Sequence, residues 1–573
     1  MRARRLLLSV LLFSLPCALD AAPTAPRPVV VVLQEQAPAA ALNRALLADG
    51  VPRAERHRAV IETLREAADG QAPLLAWLDA RRAAGEPLRY RGHWIANLVV
   101  LEAASTTVEA VARRADVAAV TPLPAPTVEA PRPTGAGDRA IGVPPGIRAI
   151  GADRVWNELG FTGAGALVGI LDTGVDVTHP ALAGSWRGNG APAGECWLDL
   201  LDGTSGQPVD LAGGHGTHVL GTVVGLAPGD SIGVAPGAEW IACNAIGQGV
   251  SPEFNADIFA ALEWFADPDG DAGTLDDVPD VLVNAWGVNE NFGYADCDAL
   301  WWAAIDNCEA AGVVLLFTAG GDGPAPGTVR SPADRATTAL NSFAVGAVDA
   351  SVPESWPYPL ASFSSRGPSG CDVAPGLEVK PELVAPGVNV VSCVPGGSYA
   401  IWSGSAMAVA HAAGVVALMR GANPELDVDS LKELLLATAR DEGDPGEDNS
   451  YGWGVVDAFA AVRGALGSAT AAPADPDAPA ARLRLARPNP FRPARGAAVL
   501  AFTLPSPAAA RLDVVDVSGR HLRTLLAGEL PAGEHVARWD GRDDAGRALG
   551  AGVYLVRLDA GGTREARSLV LLR

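Results

Sequence analysis

Residues 166–176 read Ala-Leu-Val-Gly-Ile-Leu-Asp-Thr-Gly-Val-Asp. Unbroken apolar residues up to Leu171 mark a strand buried on both faces, and Asp172 falls just past its carboxyl end. Similar runs follow at Trp240–Ile246, Val278–Asn284, Val313–Ala319 and Phe343–Ala347. Helical patterns lie among them, near His215–Gly225, Phe254–Ala266, Asp298–Ala311, Ser405–Arg420 and Ser430–Ala439. This alternation predicts an α/β fold over residues 146–465, a doubly wound parallel sheet covered on both faces. Function in such sheets sits in the crevice beyond the carboxyl ends of the strands. Asp172, Ala285 and Gly321 each fall just past such an end.

On either side of this region the chain changes character. Its 573 residues leave room for three to four folded units at about 150 each. Arg2, Arg4 and Arg5 precede an apolar stretch, Leu6–Leu15, with small residues at Ala18, Ala21 and Ala22. Residues 1–22 therefore read as a secretory signal peptide, and the protein as secreted, extracellular or at the cell surface. Residues 23–122 read as a compact α+β unit with strands at Val29–Leu33, Tyr90–Leu101 and Val117–Pro122 and helices at Arg56–Ala84 and Thr106–Arg114. A Pro-rich connector, 123–145, follows it. An Ala/Pro/Asp linker, 466–481, leads to short alternating strands at Val499–Thr503, Arg511–Val517, His535–Trp539, Val553–Leu558 and Arg567–Leu572. Residues 482–573 thus read as an antiparallel β-sandwich.

Sixty-six acidic against 43 basic residues give a net charge of −23, which argues against a nucleic-acid partner or a polybasic membrane patch. Cys17 belongs to the signal segment, and the other six cysteines all lie between Cys196 and Cys393. An oxidising compartment permits disulfides there, with the pairing left open. Asp267, Asp269 and Asp271 alternate as in a calcium loop, followed by Asp276 and Asp277, but the bidentate Glu of an EF-hand is lacking. A solvated acidic loop is the default and calcium the alternative; no cofactor is required. Trp264, Trp301 and Trp302 fall in helical segments and read as core.

Three segments carry a specific resemblance. Asp172-Thr173-Gly174-Val175-Asp176, Gly214-His215-Gly216-Thr217-His218 and Ser403-Gly404-Ser405-Ala406-Met407-Ala408 resemble, in order and spacing, the Asp, His and Ser blocks of the subtilisin-like serine peptidases. Ser362–Pro368, Lys380–Gly387 and Tyr451–Asp457 match supporting blocks, and the chain resembles the bacillopeptidase F-like branch. The resemblance implies a catalytic Asp172 and His215, a cleft lined by Ala285, Trp286, Gly287 and Gly320, and an N-terminal unit acting as an inhibitory, chaperone-like propeptide. It also implies that His218 is a hydrogen-bonded core histidine rather than a ligand. The C-terminal unit resembles the Ig-like domain of flagellar hook-capping proteins and related secretion sorting domains, through Pro488-Asn489-Pro490-Phe491, Trp539-Asp540-Gly541-Arg542-Asp543, Gly552-Val553-Tyr554 and Val570–Arg573. That implies export or surface retention and a link to secretion machinery; a passive stabilising appendage is the alternative reading.

The chain departs from the family where chemistry is densest. Ala406 stands at the nucleophile position, Gly321 at the position of the oxyanion amide, Ala285 where the cleft carries a serine, and Ala410 where a proline is usual. Ser405 is one residue early, about 100° around a helix. The expectation is a catalytically impaired peptidase homologue that binds peptide or protein segments in its cleft. The alternative is an active endopeptidase working through Ser405 or Ser403.

Overall fold

The computed structural model describes residues 26–572 apart from 124–142, 470–481 and the short segments 202, 204, 228–229, 248–251, 372–376, 488–490, 494–496, 505–507, 517–519, 532 and 561–562. The signal segment, Cys17, most of the connector and linker, and Pro488-Asn489-Pro490 lie outside the described residues.

The N-terminal unit runs β1 (Arg27–Leu33), α1 (Ala39–Ala48), α2 (Arg53–Asp69), α3 (Ala72–Ala83), β2 (Arg89–His93), β3 (Leu98–Ala103), α4 (Ser105–Ala112) and β4 (Val117–Pro122). Its antiparallel sheet has the order β2-β3-β1-β4. Val29, Val31 and Leu33 pack with Leu74 and Leu78 on one face, while Val30 joins the apolar core that continues into the central region. Two expectations need correction. The strand read over Tyr90–Leu101 is the hairpin β2–β3, turned at Asn97, whose φ is 38° and whose Nδ2 donates to Ala67 O at 2.9 Å. The long helix over Arg56–Ala84 is broken after Asp69 into α2 and α3, and Gln71 at the break donates to His93 O at 2.9 Å. In both places a side-chain amide satisfies backbone groups that a continuous element would have paired internally.

The central region contributes β5 (Leu167–Asp172), β6 (Trp197–Asp199), α5 (His215–Val224), β7 (Glu239–Asn244), α6 (Pro252–Ala266), β8 (Val281–Asn284), α7 (Trp302–Ala310), β9 (Val314–Thr318), β10 (Phe343–Val348), β11 (Leu383–Pro386), the hairpin β12 (Val390–Val394) and β13 (Ser398–Trp402), α8 (Ser405–Ala422), α9 (Val428–Thr438) and α10 (Ala458–Ala469). Seven parallel strands lie in the order β11-β10-β9-β8-β5-β7-β6. The chain leaves β5 to one side and returns to its other side at β8, so Asp172 ends a strand at the topological switch. Helix α8 is apolar all round because it is a core helix, with 83% of it buried among α5, α10 and the sheet. Helix α10 extends to Ala469, into the segment read as linker.

Helix α7 starts four residues later than the sequence pattern predicts. Cys297 precedes it at φ 58° and forms a disulfide with Cys371, Cα to Cα 5.2 Å. Cys308, on α7, is buried and free, as are Cys196, Cys243 and Cys393. Trp301 is fully buried, but Trp264 and Trp302 are only half-buried, Trp302 lying under the Arg335 guanidinium at 4.7 Å. The linked C-terminal unit holds β14 (Arg482–Arg487), β15 (Ala498–Leu504), β16 (Ala508–Asp516), β17 (His521–Leu530), β18 (Gly533–Trp539), β19 (Gly552–Ala560) and β20 (Thr563–Leu571). They form two antiparallel sheets, β14-β15-β18 and β17-β16-β19-β20, around one core with Trp539 packed between Phe491 and Tyr554. Strands β14 and β17 were not legible in the sequence.

Candidate active site

Asp172 is the last residue of β5 and is 1% exposed; its Oδ1 faces His215 Nδ1 at 2.7 Å. His215 opens α5, so its ring projects from a helix start towards the strand end. The approach is close because two glycines allow it. Gly174 takes φ +105°, and a Cβ on Gly216 would lie 2.2 Å from the Gly174 carbonyl oxygen. Asp210, which sequence reasoning missed, ties the two blocks together. Its carboxylate accepts from Thr173 Oγ1 at 3.1 Å, Gly214 N at 3.1 Å and Thr217 Oγ1 at 2.7 Å.

Burial is the largest influence on the His215 imidazole and pulls its pKa down, but the Asp172 charge and hydrogen bond outweigh it and leave the pKa above its ordinary 6.5. A group raised in this way stabilises the fold below about pH 6.5, and that contribution fades as pH rises through the raised value. NMR titration of His215 should therefore give a pKa above 6.5, and Asp172→Asn should bring it below. An unchanged pKa in the variant would show that Asp172 does not set it.

Trp402, also missed, ends β13. Its ring stacks on His218 at 4.5 Å and 5°, and on His215 at 6.4 Å and 20°. It thereby brings the start of α8 against the histidine helix. His218 is fully buried with Nε2 on Ala400 O at 3.2 Å, and burial drives its pKa to about 3, so it remains a neutral core group.

At the start of α8 the two serines point elsewhere. Ser405 is buried; its Oγ donates to Gly320 O at 2.9 Å and accepts from Thr318 Oγ1 at 2.6 Å. Ser403 Oγ accepts from Asn389 N at 2.9 Å. Ala406 lies in the first turn of α8, half-exposed, with a methyl group and no hydroxyl.

Across the cleft, β8 leads into Ala285-Trp286-Gly287 and β9 into Ala319-Gly320-Gly321. Trp286 turns inward, its Nε1 donating to Asn284 Oδ1 at 3.2 Å. Arg330, which the sequence did not single out, sits between these two exits. A Cβ on Gly287 would meet Arg330 Cβ at 2.9 Å, and one on Gly320 would meet Arg330 Cγ at 2.9 Å. Both ends of the guanidinium fork bind Asp322, Nη2 to Oδ1 at 2.8 Å. Gly321 is exposed, and a Cβ built on it meets nothing within 4 Å. Beside this wall lies a cavity of about 220 Å³, lined among others by Asn289, Glu290, Asp296, Asp322 and Asp334.

A parallel sheet with an Asp–His pair at its switch point, facing the start of a buried helix, is the framework of a serine-type acyl-transfer site. Residues 163–454 match the subtilase family, and residues 490–563 match the FlgD Ig-like domain. The chain belongs to the subtilase family. It is 35% identical over 434 residues to Bacillopeptidase F of Bacillus subtilis, covering 71% of this chain and 29% of that protein. It is 34% identical over 330 residues to Subtilisin Savinase of Lederbergia lenta, covering 56% of this chain and all of that one. It is 31% identical over 329 residues to Serine protease AprX of Bacillus subtilis, covering 54% of this chain and 69% of that protein.

Proposed function

We propose that this chain is a secreted subtilase homologue that binds polypeptide in its cleft and has lost efficient hydrolysis. The observation that carries the reading is the start of α8: Ala406 offers no hydroxyl, and the neighbouring Ser405 hydroxyl is committed to Thr318 and Gly320. Asp172 and His215 then form a base without a nucleophile to activate. Gly321 adds no side-chain donor for an oxyanion. The acidic cavity beside Asp322 favours a bound segment with a basic side chain. Fluorophosphonate labelling of the purified protein tests this directly. No adduct is expected, whereas labelling at Ser405 or Ser403 would restore the reading as an active endopeptidase.

The N-terminal unit supports a propeptide-like role, because it docks across α6 and α7. Glu263 accepts from the backbone N–H groups of Trp94 and Ile95, and Asn307 Nδ2 donates to Ile95 O at 2.6 Å. His57 Nδ1 meets Ala311 O at 2.9 Å, and Arg53 pairs with Asp280 at 2.9 Å. Without a nucleophile the chain has no means to cut this unit away. Protein folded alone should keep residues from about 23 to 145 attached, as intact-mass measurement would read; cleavage between 123 and 145 with no protease added would count against an inactive site. The FlgD-like unit would serve export or surface retention, with secretion machinery as its partner.

A further inference from the structure

Sequence spacing singled out Asp267, Asp269 and Asp271, but the fold gathers a different trio. Carboxylate oxygens of Asp267, Asp269 and Asp277 all lie within 4.8 Å of one another. Asp271 instead turns to its own loop, accepting from Gly273 N at 2.9 Å. The fold brings Asp277 in because Asp269 N donates to Asp277 Oδ2 at 2.9 Å, which closes the loop between α6 and β8 on itself.

Two of the three carboxylates are buried, Asp267 at 5% and Asp277 at 2% exposure. Asp277 Oδ1 and both Asp267 oxygens lack a hydrogen-bond partner among the described residues, and Asp267 Oδ2 has only the ion pair with Arg65. Such an oxygen is costly to bury unless a cation meets it. Asp269 is exposed and leaves a route in from solvent. The one cation paired with the trio among the described residues comes from another unit of the chain. Arg65 on α2 pairs with Asp267 Oδ2 and donates to Gly270 O at 3.1 Å.

We propose that Asp267, Asp269 and Asp277 form a divalent-cation site of calcium type, and that the bound ion shares Asp267 with Arg65, so that occupancy weakens the docking of the N-terminal unit. Size selects the ion. Ca²⁺ accepts an irregular set of carboxylate oxygens at about 2.3–2.6 Å, whereas Mg²⁺ requires near-octahedral ligands at about 2.1 Å and keeps several of its waters. The coupling follows from charge. Arg65 lowers the negative potential that attracts the ion, and the ion lowers the potential that holds Arg65; by linkage the two effects are equal in size.

Calorimetric titration of Ca²⁺ into the chelator-treated full chain tests both halves. The wild type should show a saturable equivalent that Mg²⁺ fills poorly, and Asp269→Asn, which keeps one side-chain oxygen to accept from Asp271 N or Thr274 Oγ1, should weaken it at least about tenfold. Asp277→Asn should do the same, and Arg65→Ala should tighten the site about fivefold, the size of one removed surface-type ion pair. Identical Ca²⁺ stoichiometry and affinity in the wild type and Asp269→Asn would overturn the site. An Arg65→Ala protein with unchanged affinity would overturn the sharing. Neither readout involves hydrolysis, so both stand apart from the reading of the cleft.

Discussion

Ala406→Ser should raise peptidase activity to a weak but measurable level, and Ala406→Ser with Gly321→Asn to a clearly higher one. The nucleophile matters more: in a subtilisin, a relative of this chain, its removal costs about 10⁶ in turnover, and an oxyanion amide about 10²–10³. His215 is held by Asp172 at 2.7 Å, and position 406 sits in the first turn of α8 beside a hydroxyl already fixed elsewhere. Asparagine at 321 is sterically admissible. Gly321 does not adopt a positive φ, and a Cβ there would meet nothing within 4 Å. Nucleophile and oxyanion donor act as a unit, so the gain should exceed the sum of the single changes in free energy. Arg330 sets the ceiling, because its side chain, locked to Asp322, occupies the space between the two cleft walls. Casein hydrolysis and fluorophosphonate uptake measure the outcome. If the double variant shows neither, the cleft has been remodelled beyond residues 285, 321 and 406, and a repairable triad is ruled out.

The second large effect lies in the core. The chain has two lysines, Lys380 and Lys432, and both are buried against glutamates. Lys380 Nζ donates to Glu382 Oε1 at 2.6 Å and to Ser342 O at 3.3 Å, while Glu382 Oε2 accepts from Ala344 N at 2.6 Å. Glu382→Ala leaves an uncompensated buried ammonium and should destabilise the fold by about 3–5 kcal/mol. Replacing both partners by apolar residues of similar size, Lys380→Met with Glu382→Leu, should cost far less, because no charge is then stranded. Denaturant unfolding compares the two. A double variant as unstable as Glu382→Ala would show that the hydrogen bonds to Ser342 and Ala344, rather than charge pairing, hold this part of the sheet.

The central sheet and the type of chemistry at its edge were already legible in the chain. Continuous apolar runs such as Leu167–Leu171, alternating with helical patterns, point to a parallel sheet covered on both faces. The Asp172 and His215 blocks were legible as motifs, although the space that requires Gly216 is set by the Gly174 carbonyl of the other block, and that of Gly174 by Val209 O. Alanine at 406 is likewise a fact of the chain. The remainder emerged on folding. Whether Ser405 could replace a missing hydroxyl depended on Thr318 and Gly320, which are 87 and 85 residues away in the chain. Arg330 reached the cleft through contacts distant in the chain, the Val288–Ser331 bridge just past β8 and the bond from Arg330 N to Ala319 O just past β9. Asp277 displaced Asp271 from the acidic trio, and Cys297 found Cys371, through loop closures that no period of 2 or 3.6 encodes. Periodicity reports the environment of each element; which side chains converge is set by contacts between elements distant in sequence, and only the folded chain contains them.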